Sequence, residues 1–206
     1  MDGPSKSDNP EYSGVQRNRV ITYLLLALSG AAIDLWTKAA IFDWRGLPGD
    51  KDVWWIIDEH FGIETAVNPG AVFGLGAGMG VVFAVLSIAA GVGIVAWLFW
   101  FRAAESLWLT VALGMISGGI LGNLYDRLGF WWQDGYHPDW KSGVRDWILV
   151  RFEGVPLCDP WPNFNLADSL LVVGASMLLY QSFFQGDDSP PENNSQPPSG
   201  EQSSDE

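Results

Sequence analysis

Two aspartates, Asp146 and Asp168, have the side-chain type and the surroundings to do chemistry in this sequence. Asp168 lies three residues after Asn165 at the start of an apolar run, "FNLADSLLVVGASMLLY", where a carboxylate is costly to bury. Asp146 lies in "VRDWIL", and in a strand the alternation of side chains turns it away from Arg145 and Trp147. If the two carboxyl groups meet in a dry pocket, they share one proton, so that one activates water and the other donates to a scissile carbonyl.

Such a pair hydrolyses peptides without a metal ion or a covalent intermediate, and we expect no metal or cofactor. His60 and His137 lie outside any H-E-x-x-H pattern. The single cysteine, Cys158, excludes an internal disulfide and cannot by itself build a metal site. The sequence leaves open whether the two aspartates meet, because buried carboxylates also have structural and ion-conducting roles.

Further polar residues recur at helical spacing inside apolar segments. Asp34 and Lys38 in "DLWTK" are four residues apart, which predicts an ion pair that braces a site. Asn123, Asp126 and Arg127 in "GNLYDR" follow the i, i+3, i+4 pattern and are expected on one helix face. Because a neighbouring arginine keeps an aspartate ionised, Asp126 is interpreted as a salt-bridge member rather than a general acid.

The stretch "AVNPGAVFGLG", residues 66–76, has two interpretations. Asn68 offers donors and acceptors, and Gly70 allows a backbone to approach a ligand closely. A tight turn before the next helix explains the same residues equally well.

Four apolar segments are long enough to cross a membrane, at residues 20–42, 79–101, 106–122 and 164–184. The clearest, 79–101, has 23 residues without a charge, against the roughly 20 that a hydrocarbon core requires. The first segment also resembles a cleavable signal peptide over residues 20–33, but apolar residues resume after Lys38, which favours a spanning helix. The predicted fold class is therefore an integral membrane protein with four transmembrane helices.

The two long connections are predicted to lie on one side of the membrane. Residues 43–78 alternate β-rich stretches with Gly and Pro breaks, which predicts a small sheet, and residues 127–163 contain the strand-like "VRDWILVRF". An orientation with the N terminus inside conflicts with the positive-inside rule, because more Lys and Arg then lie outside, on the side of the long connections. If Arg127 is bound in a site, it no longer counts against this orientation, which relieves part of the conflict. The remaining basic residues, Lys141, Arg145 and Arg151, are then expected to contact lipid headgroups.

The composition predicts three regions: an N-terminal segment at 1–19, a four-helix domain at 20–185 and a tail at 186–206. The formal net charge is −13, but six of the acidic residues lie in the tail, which has no Lys, Arg or large apolar residue. Such a composition predicts a disordered tail. No basic cluster indicates a nucleic-acid partner.

Five motifs in order resemble those of signal peptidase II, the bacterial lipoprotein signal peptidase: "DLWTK" at 34–38, "NPGAVFG" at 68–74, "GNLYDR" at 122–127, "VRDWI" at 144–148 and "FNLAD" at 164–168. The resemblance implies a four-helix aspartic endopeptidase of the bacterial inner membrane, with both termini (the segment at 1–19 and the tail at 186–206) cytoplasmic. It also implies an active site near the outer face and a β-rich extracytoplasmic cradle. It implies cleavage of prolipoproteins just before a diacylglyceryl-modified cysteine, contact with membrane lipid, and inhibition by globomycin-type compounds.

The resemblance also implies roles for single residues. It makes Asp146 and Asp168 the catalytic pair. Residues that bind substrate or support the site are Asn68, Gly70, Asn123, Arg127 and Asn165. Residues of structural polar pairs are Asp34, Lys38 and Asp126.

Two features depart from the family pattern. Arg145 and Trp147 flank Asp146 where the family usually has an apolar residue and a phenylalanine. Residues 128–143, "LGFWWQDGYHPDWKSG", are an apparent insertion, which we call the inserted segment and expect to act as a lid over the site, with "VWWII" at 53–57 as a cradle.

Two alternatives remain at this stage. A small transporter or ion-conducting subunit would use the same intramembrane carboxylates for a relay and would show no proteolysis. Other aspartic intramembrane proteases carry a G-x-G-D signature, which the apolar segments lack.

Overall fold

The computed structural model describes residues 17–70, 76, 78–101, 104, 106–152, 154 and 161–184. Four helices form the body of the fold: α1 at Arg17–Arg45, α2 at Gly80–Phe99, α3 at Leu107–Arg127 and α4 at Leu166–Phe184. Three strands form one sheet: β1 at Trp54–Ile57, β2 at Phe61–Asn68 and β3 at Val144–Val150.

All four helices are long and apolar enough to cross a membrane, which confirms the predicted fold class. Large apolar side chains cover their outer surfaces, as at Leu25, Val81 and Phe183, where 64 to 77 % of the side chain is exposed. Such surfaces require a hydrocarbon solvent rather than water. α1 continues without a break from Arg17 to Arg45, so the segment that resembled a signal peptide is part of the helix bundle.

α3 is the central helix, because glycines on two of its faces allow close approach by α1 and α4. A Cβ atom on Gly122 would overlap the Asp34 carboxylate of α1, and one on Gly119 would overlap the Ala167 carbonyl of α4. Small residues at helix interfaces are the usual means of tight packing in a membrane. This packing brings the polar residues of α1, α3 and α4 together.

The sheet joins the two long connections, because β2 comes from the first and β3 from the second. The strand order is β1-β2-β3 and both pairs are antiparallel. Asp146 of β3 lies opposite Ala66 of β2, and Arg145 lies opposite Val67. The register of the sheet therefore determines where Asp146 lies and to which face of the sheet its side chain projects.

The inserted segment is folded back on itself between α3 and β3. It forms turns and a short 3-10 helix at Pro138–Trp140. The buried Trp131 donates its indole N–H to the Gly143 carbonyl at 3.0 Å, and its ring packs edge-on against Phe42 of α1. The segment is thus packed against the end of the bundle that carries the sheet.

Several expectations fall outside the described residues. They concern residues 1–16 of the N-terminal segment, the tail at 186–206, residues 71–74 of the "NPGAVFG" motif, and Cys158.

Candidate active site

Asn165 and Asp168 form a reciprocal hydrogen-bond pair where α4 begins. The Asp168 backbone N–H donates to the Asn165 side-chain oxygen at 2.9 Å, and the Asn165 backbone N–H donates to Asp168 Oδ2 at 3.2 Å. This is the capping-box arrangement, with Asn and Asp in place of the usual Ser and Glu. The three-residue spacing in "NLAD" therefore places a carboxylate at the end of a membrane helix in a fixed orientation.

Asp146 reaches the same asparagine from the sheet. The Asn165 amide Nδ2 donates to Asp146 Oδ1 at 2.6 Å, and Asn165 is fully buried while Asp146 is 2 % exposed. Asn165 thus contacts both carboxyl groups, one through its side chain and the other through its backbone. The structure brings together the two aspartates that the sequence singled out, and their catalytic role stays a prediction.

Burial raises the pKa of Asp146 well above its ordinary value, and the charge of Asp168 raises it further. The hydrogen bond from Asn165 and the charge of Lys38 act in the opposite direction. A negative charge close to a buried carboxyl group favours the protonated form of that group. Asp146 is the member whose surroundings favour the protonated form.

Asn123 of α3 connects Asp168 to a buried charge cluster. Its amide Nδ2 donates to Asp168 Oδ1 at 2.8 Å, and its Oδ1 accepts from Lys38 Nζ at 2.9 Å. Lys38 is ion-paired with Asp34 at 2.7 Å and with Asp126 at 3.3 Å, and all three charged side chains are fully buried. The expected Asp34–Lys38 pair is therefore present and is part of a larger cluster.

Asp34 and Asp126 also hold backbone segments in place. Asp34 Oδ1 accepts from the Ala167 backbone N–H at 2.9 Å, one residue before Asp168. Asp126 Oδ2 accepts from the Arg145 backbone N–H at 3.0 Å, one residue before Asp146. Each of these two carboxylates thus fixes the chain next to one member of the aspartate pair.

The hydrogen bonds of the Arg127 guanidinium go to main-chain carbonyls. Its guanidinium donates to the carbonyls of Asn68 at 3.1 Å and Ser142 at 3.0 Å, and also to the carbonyl of Gly70. The Asn68 side chain accepts from the Gly70 backbone N–H at 3.0 Å, which is the tight-turn geometry expected for this sequence. Arg127 joins this turn to the inserted segment and interacts electrostatically with Asp146 and Asp168.

Arg145 was expected to contact lipid headgroups, and this expectation is wrong. The residue is 6 % exposed, and its guanidinium donates to Asp126 Oδ1 at 3.1 Å from Nε and 2.8 Å from Nη2. The expected salt bridge of Asp126 is present, but it is made with Lys38 and Arg145. Alternation along β3 was the available signal, because an arginine facing away from Asp146 in a buried strand requires a buried acid.

Within the described ranges, no group of three His, Cys, Asp or Glu side chains is placed to hold a metal ion. The polar groups described above form hydrogen bonds and ion pairs with one another. Asn165 and Asn123 orient the two carboxyl groups, as general acid–base chemistry on a water molecule requires.

A family model described as "Signal peptidase (SPase) II" matches residues 26–184, a range that contains all five motifs. A lipoprotein signal peptidase of Rhodopirellula baltica is 64 % identical over 166 residues, covering 81 % of this chain and 73 % of the relative. One of Rhodococcus jostii is 32 % identical over 180 residues, covering 86 % and 79 %. A solved structure described as a bacterial membrane enzyme shares the fold with a TM-score of 0.65 at 23 % identity, covering 84 % of this chain and 96 % of that one.

Proposed function

Because this chain belongs to the signal peptidase II family, we propose that it is an aspartic endopeptidase whose catalytic pair is Asp146 and Asp168. Membership makes it a membrane-embedded protease that processes lipoproteins. The observation that carries the aspartic type is the bridging of both carboxyl groups by Asn165. A transporter or ion-conducting subunit has no support among the relatives.

In the proposed reaction Asp146 is the acid and Asp168 is the base. Asp168 accepts hydrogen bonds from the Asn123 amide and the Asn165 backbone N–H, which suits a carboxylate that takes a proton from water. The resulting hydroxide attacks the scissile carbonyl carbon while Asp146 donates its proton to the carbonyl oxygen. As the tetrahedral gem-diol collapses and the C–N bond breaks, one of its hydroxyl protons returns to Asp146, and the proton held by Asp168 passes to the leaving amine.

Arg127 supplies a positive charge beside the pair. Two aspartates that share one proton carry a single negative charge, and Arg127 offsets it from the end of α3. Its guanidinium is held by three carbonyls, so its charge is fixed in position. We propose that this charge limits the cost of keeping a carboxylate at the membrane surface.

The substrate proposed is a prolipoprotein whose cysteine already carries diacylglycerol, cut on the amino side of that cysteine. A lipid-modified peptide can reach the site laterally, since α2 and α4 present apolar surfaces outward. Each buried methylene of the acyl chains contributes about 0.8 kcal/mol to membrane association. Globomycin-type inhibitors would compete with the substrate for the aspartate pair, and the enzyme would lie in the bacterial inner membrane with its site near the outer face.

Cleavage of a diacylglyceryl-modified prolipoprotein peptide by the purified full-length protein tests this proposal. Asp146→Asn and Asp168→Asn are each expected to lower kcat by about 100-fold to 10,000-fold, the usual contribution of a general acid or base. Asp58→Asn, an exposed aspartate in the turn between β1 and β2, is the matched control and should cleave at the wild-type rate.

The catalytic assignment is wrong if either variant of the pair stays folded and keeps wild-type turnover. If the protein cuts an unlipidated peptide equally well, the proposed substrate class is wrong while the aspartate pair stands. Mass spectrometry of the products identifies the bond that is cut.

A further inference from the structure

We propose that Arg145, clamped by Trp131 of the inserted segment, is a positioning residue that holds Asp146 in its catalytic orientation. The inference rests on the proposed function, because it concerns the acid of the aspartate pair. It assigns a role to two features that the proposed reaction does not use, the arginine before Asp146 and residues 128–143. Both features meet at one point in the structure.

The first observation is the position of Arg145 on β3, the strand that also carries Asp146. Arg145 and Asp146 are successive residues of β3, so their side chains project to opposite faces of the sheet. The Arg145 guanidinium forms two hydrogen bonds with Asp126 Oδ1, and its backbone N–H forms a third with Asp126 Oδ2. A single carboxylate of α3 thus fixes both the side chain and the backbone immediately before Asp146.

The second observation is the aromatic clamp on the guanidinium. The Arg145 guanidinium carbon lies 5.4 Å from the ring centre of Trp131 and 5.9 Å from that of Phe42 in α1. Guanidinium groups within about 6 Å of an aromatic ring are attracted to its face. Trp131 is itself held by the Gly143 carbonyl and by contact with Tyr136. The inserted segment therefore acts on the strand that carries Asp146, as a brace on the side away from the aspartate pair.

The third observation is charge balance in the buried cluster. Asp34, Lys38, Asp126 and Arg145 carry two negative and two positive charges, and their side chains are at most 8 % exposed. Loss of Arg145 leaves one uncompensated negative charge, and Lys38 is then the one cation of this cluster for two carboxylates. Because Lys38 also holds Asn123, which holds Asp168, the change reaches both members of the pair.

The charges that face Asp146 decide the direction of the effect on pH dependence. They are Asp168 from α4, Lys38 from α1, and Asp126 and Arg127 from α3. Glu64, the titratable residue of β2, is engaged by the Asn163 amide at 3.0 Å. Without Arg145 the charge of Asp126 is less compensated, so the surroundings of Asp146 become more negative. Asp146 then keeps its proton to higher pH.

The test measures kcat, KM and the pH profile of kcat for Arg145→Leu, Arg145→Lys and Trp131→Leu in the full-length protein. For Arg145→Leu we expect kcat to fall about 10-fold to 100-fold, the cost of a misplaced catalytic group, with KM nearly unchanged and the alkaline limb at higher pH. Arg145→Lys keeps the charge and should restore the position of that limb. Trp131→Leu should lower kcat by a smaller factor.

Two matched controls separate the brace from general effects. Arg151→Leu removes an exposed arginine that lies over Trp55 at 5.0 Å just beyond β3. Trp132→Leu removes the neighbouring tryptophan of the inserted segment, which contacts Lys141 instead. Both variants should keep the wild-type kcat and pH profile.

The inference is overturned if Arg145→Leu and Trp131→Leu are folded and show wild-type kcat and pH profile. It is also overturned if Arg151→Leu loses as much kcat as Arg145→Leu. Should Arg145→Leu fail to fold, the lysine variant and Trp131→Leu decide the question by the same readouts. Full activity in the Asp146→Asn variant would instead reject the proposed function, so the two failures are distinguishable.

Discussion

At the scale of single residues, Asn165 connects both aspartates to the start of α4. Its side-chain oxygen caps α4, its amide contacts Asp146, and its backbone N–H contacts Asp168. The amide also lies 3.2 Å from Asn123 Oδ1. The orientation of two carboxyl groups on different elements therefore depends on one buried side chain.

Asn165→Ala is expected to lower kcat by about 100-fold, because Asp146 loses its amide donor and the Asp168 backbone N–H loses the side-chain oxygen that it binds. It should also lower the free energy of unfolding by about 1 kcal/mol, the usual cost of losing a helix cap. Activity on the lipidated peptide and thermal unfolding in detergent measure the two effects.

Asn165→Ser separates capping from catalysis, since serine is a good cap but is too short to reach Asp146. Stability close to wild type with low kcat is the expected result. Recovery of kcat in the serine variant would mean that Asn165 acts only as a cap.

At the scale of elements, the approach of α1 to α3 assembles the buried charges. Gly118 and Gly122 lie one turn apart on α3, and a Cβ atom on Gly118 would lie 3.2 Å from the Ala27 carbonyl of α1. At Gly122 the overlapping group would be the Asp34 carboxylate. The glycine at 122 is therefore needed for the contact between the Asp34–Lys38 pair and α3.

Gly122→Ala is expected to destabilise the protein by about 1–3 kcal/mol, the usual cost of overpacking, and to reduce cleavage. Gly91→Ala on α2 is the matched control, since no atom lies within 4 Å of the Cβ position there. Thermal unfolding should separate the two variants clearly. Equal stability of Gly122→Ala and Gly91→Ala would show that α1 and α3 adjust without strain.

At the scale of the whole molecule, the aspartate pair lies at the end of the bundle that carries the sheet and the inserted segment. The two connections that supply β2 and β3 are separated by two membrane helices, α2 and α3, so both lie on one side. Arg127 and Arg145 are bound within the fold, which removes them from the count of basic residues that opposed an outward-facing site.

Single cysteines introduced in a Cys158→Ser protein test this orientation in intact cells. Asp134→Cys, in the exposed part of the inserted segment, should react with a membrane-impermeant thiol reagent added from outside. Phe101→Cys, just beyond the opposite end of α2, should react only after the membrane is opened. The reverse pattern would place the aspartate pair at the cytoplasmic face.

The sequence by itself determined the class of the molecule and the pair of residues to examine. Apolar runs of membrane-spanning length predicted four helices because hydrocarbon requires about 20 apolar residues for each crossing. The spacing of Asp34 and Lys38 predicted their ion pair because residues four apart share a helix face. The five ordered motifs identified the signal peptidase II family, which the comparisons confirm.

Only the tertiary structure decided which partners the polar side chains take. Asp126 and Arg127 are adjacent in sequence, yet Asp126 binds Lys38 and Arg145 while Arg127 binds carbonyls of two other segments. Arg145 lies on β3, and its buried position depends on Asp126 of α3, Phe42 of α1 and Trp131 of the inserted segment. Periodicity fixes the face on which a side chain lies, but its partner depends on which elements pack there, and in a membrane that is decided by close helix packing and hydrogen bonding.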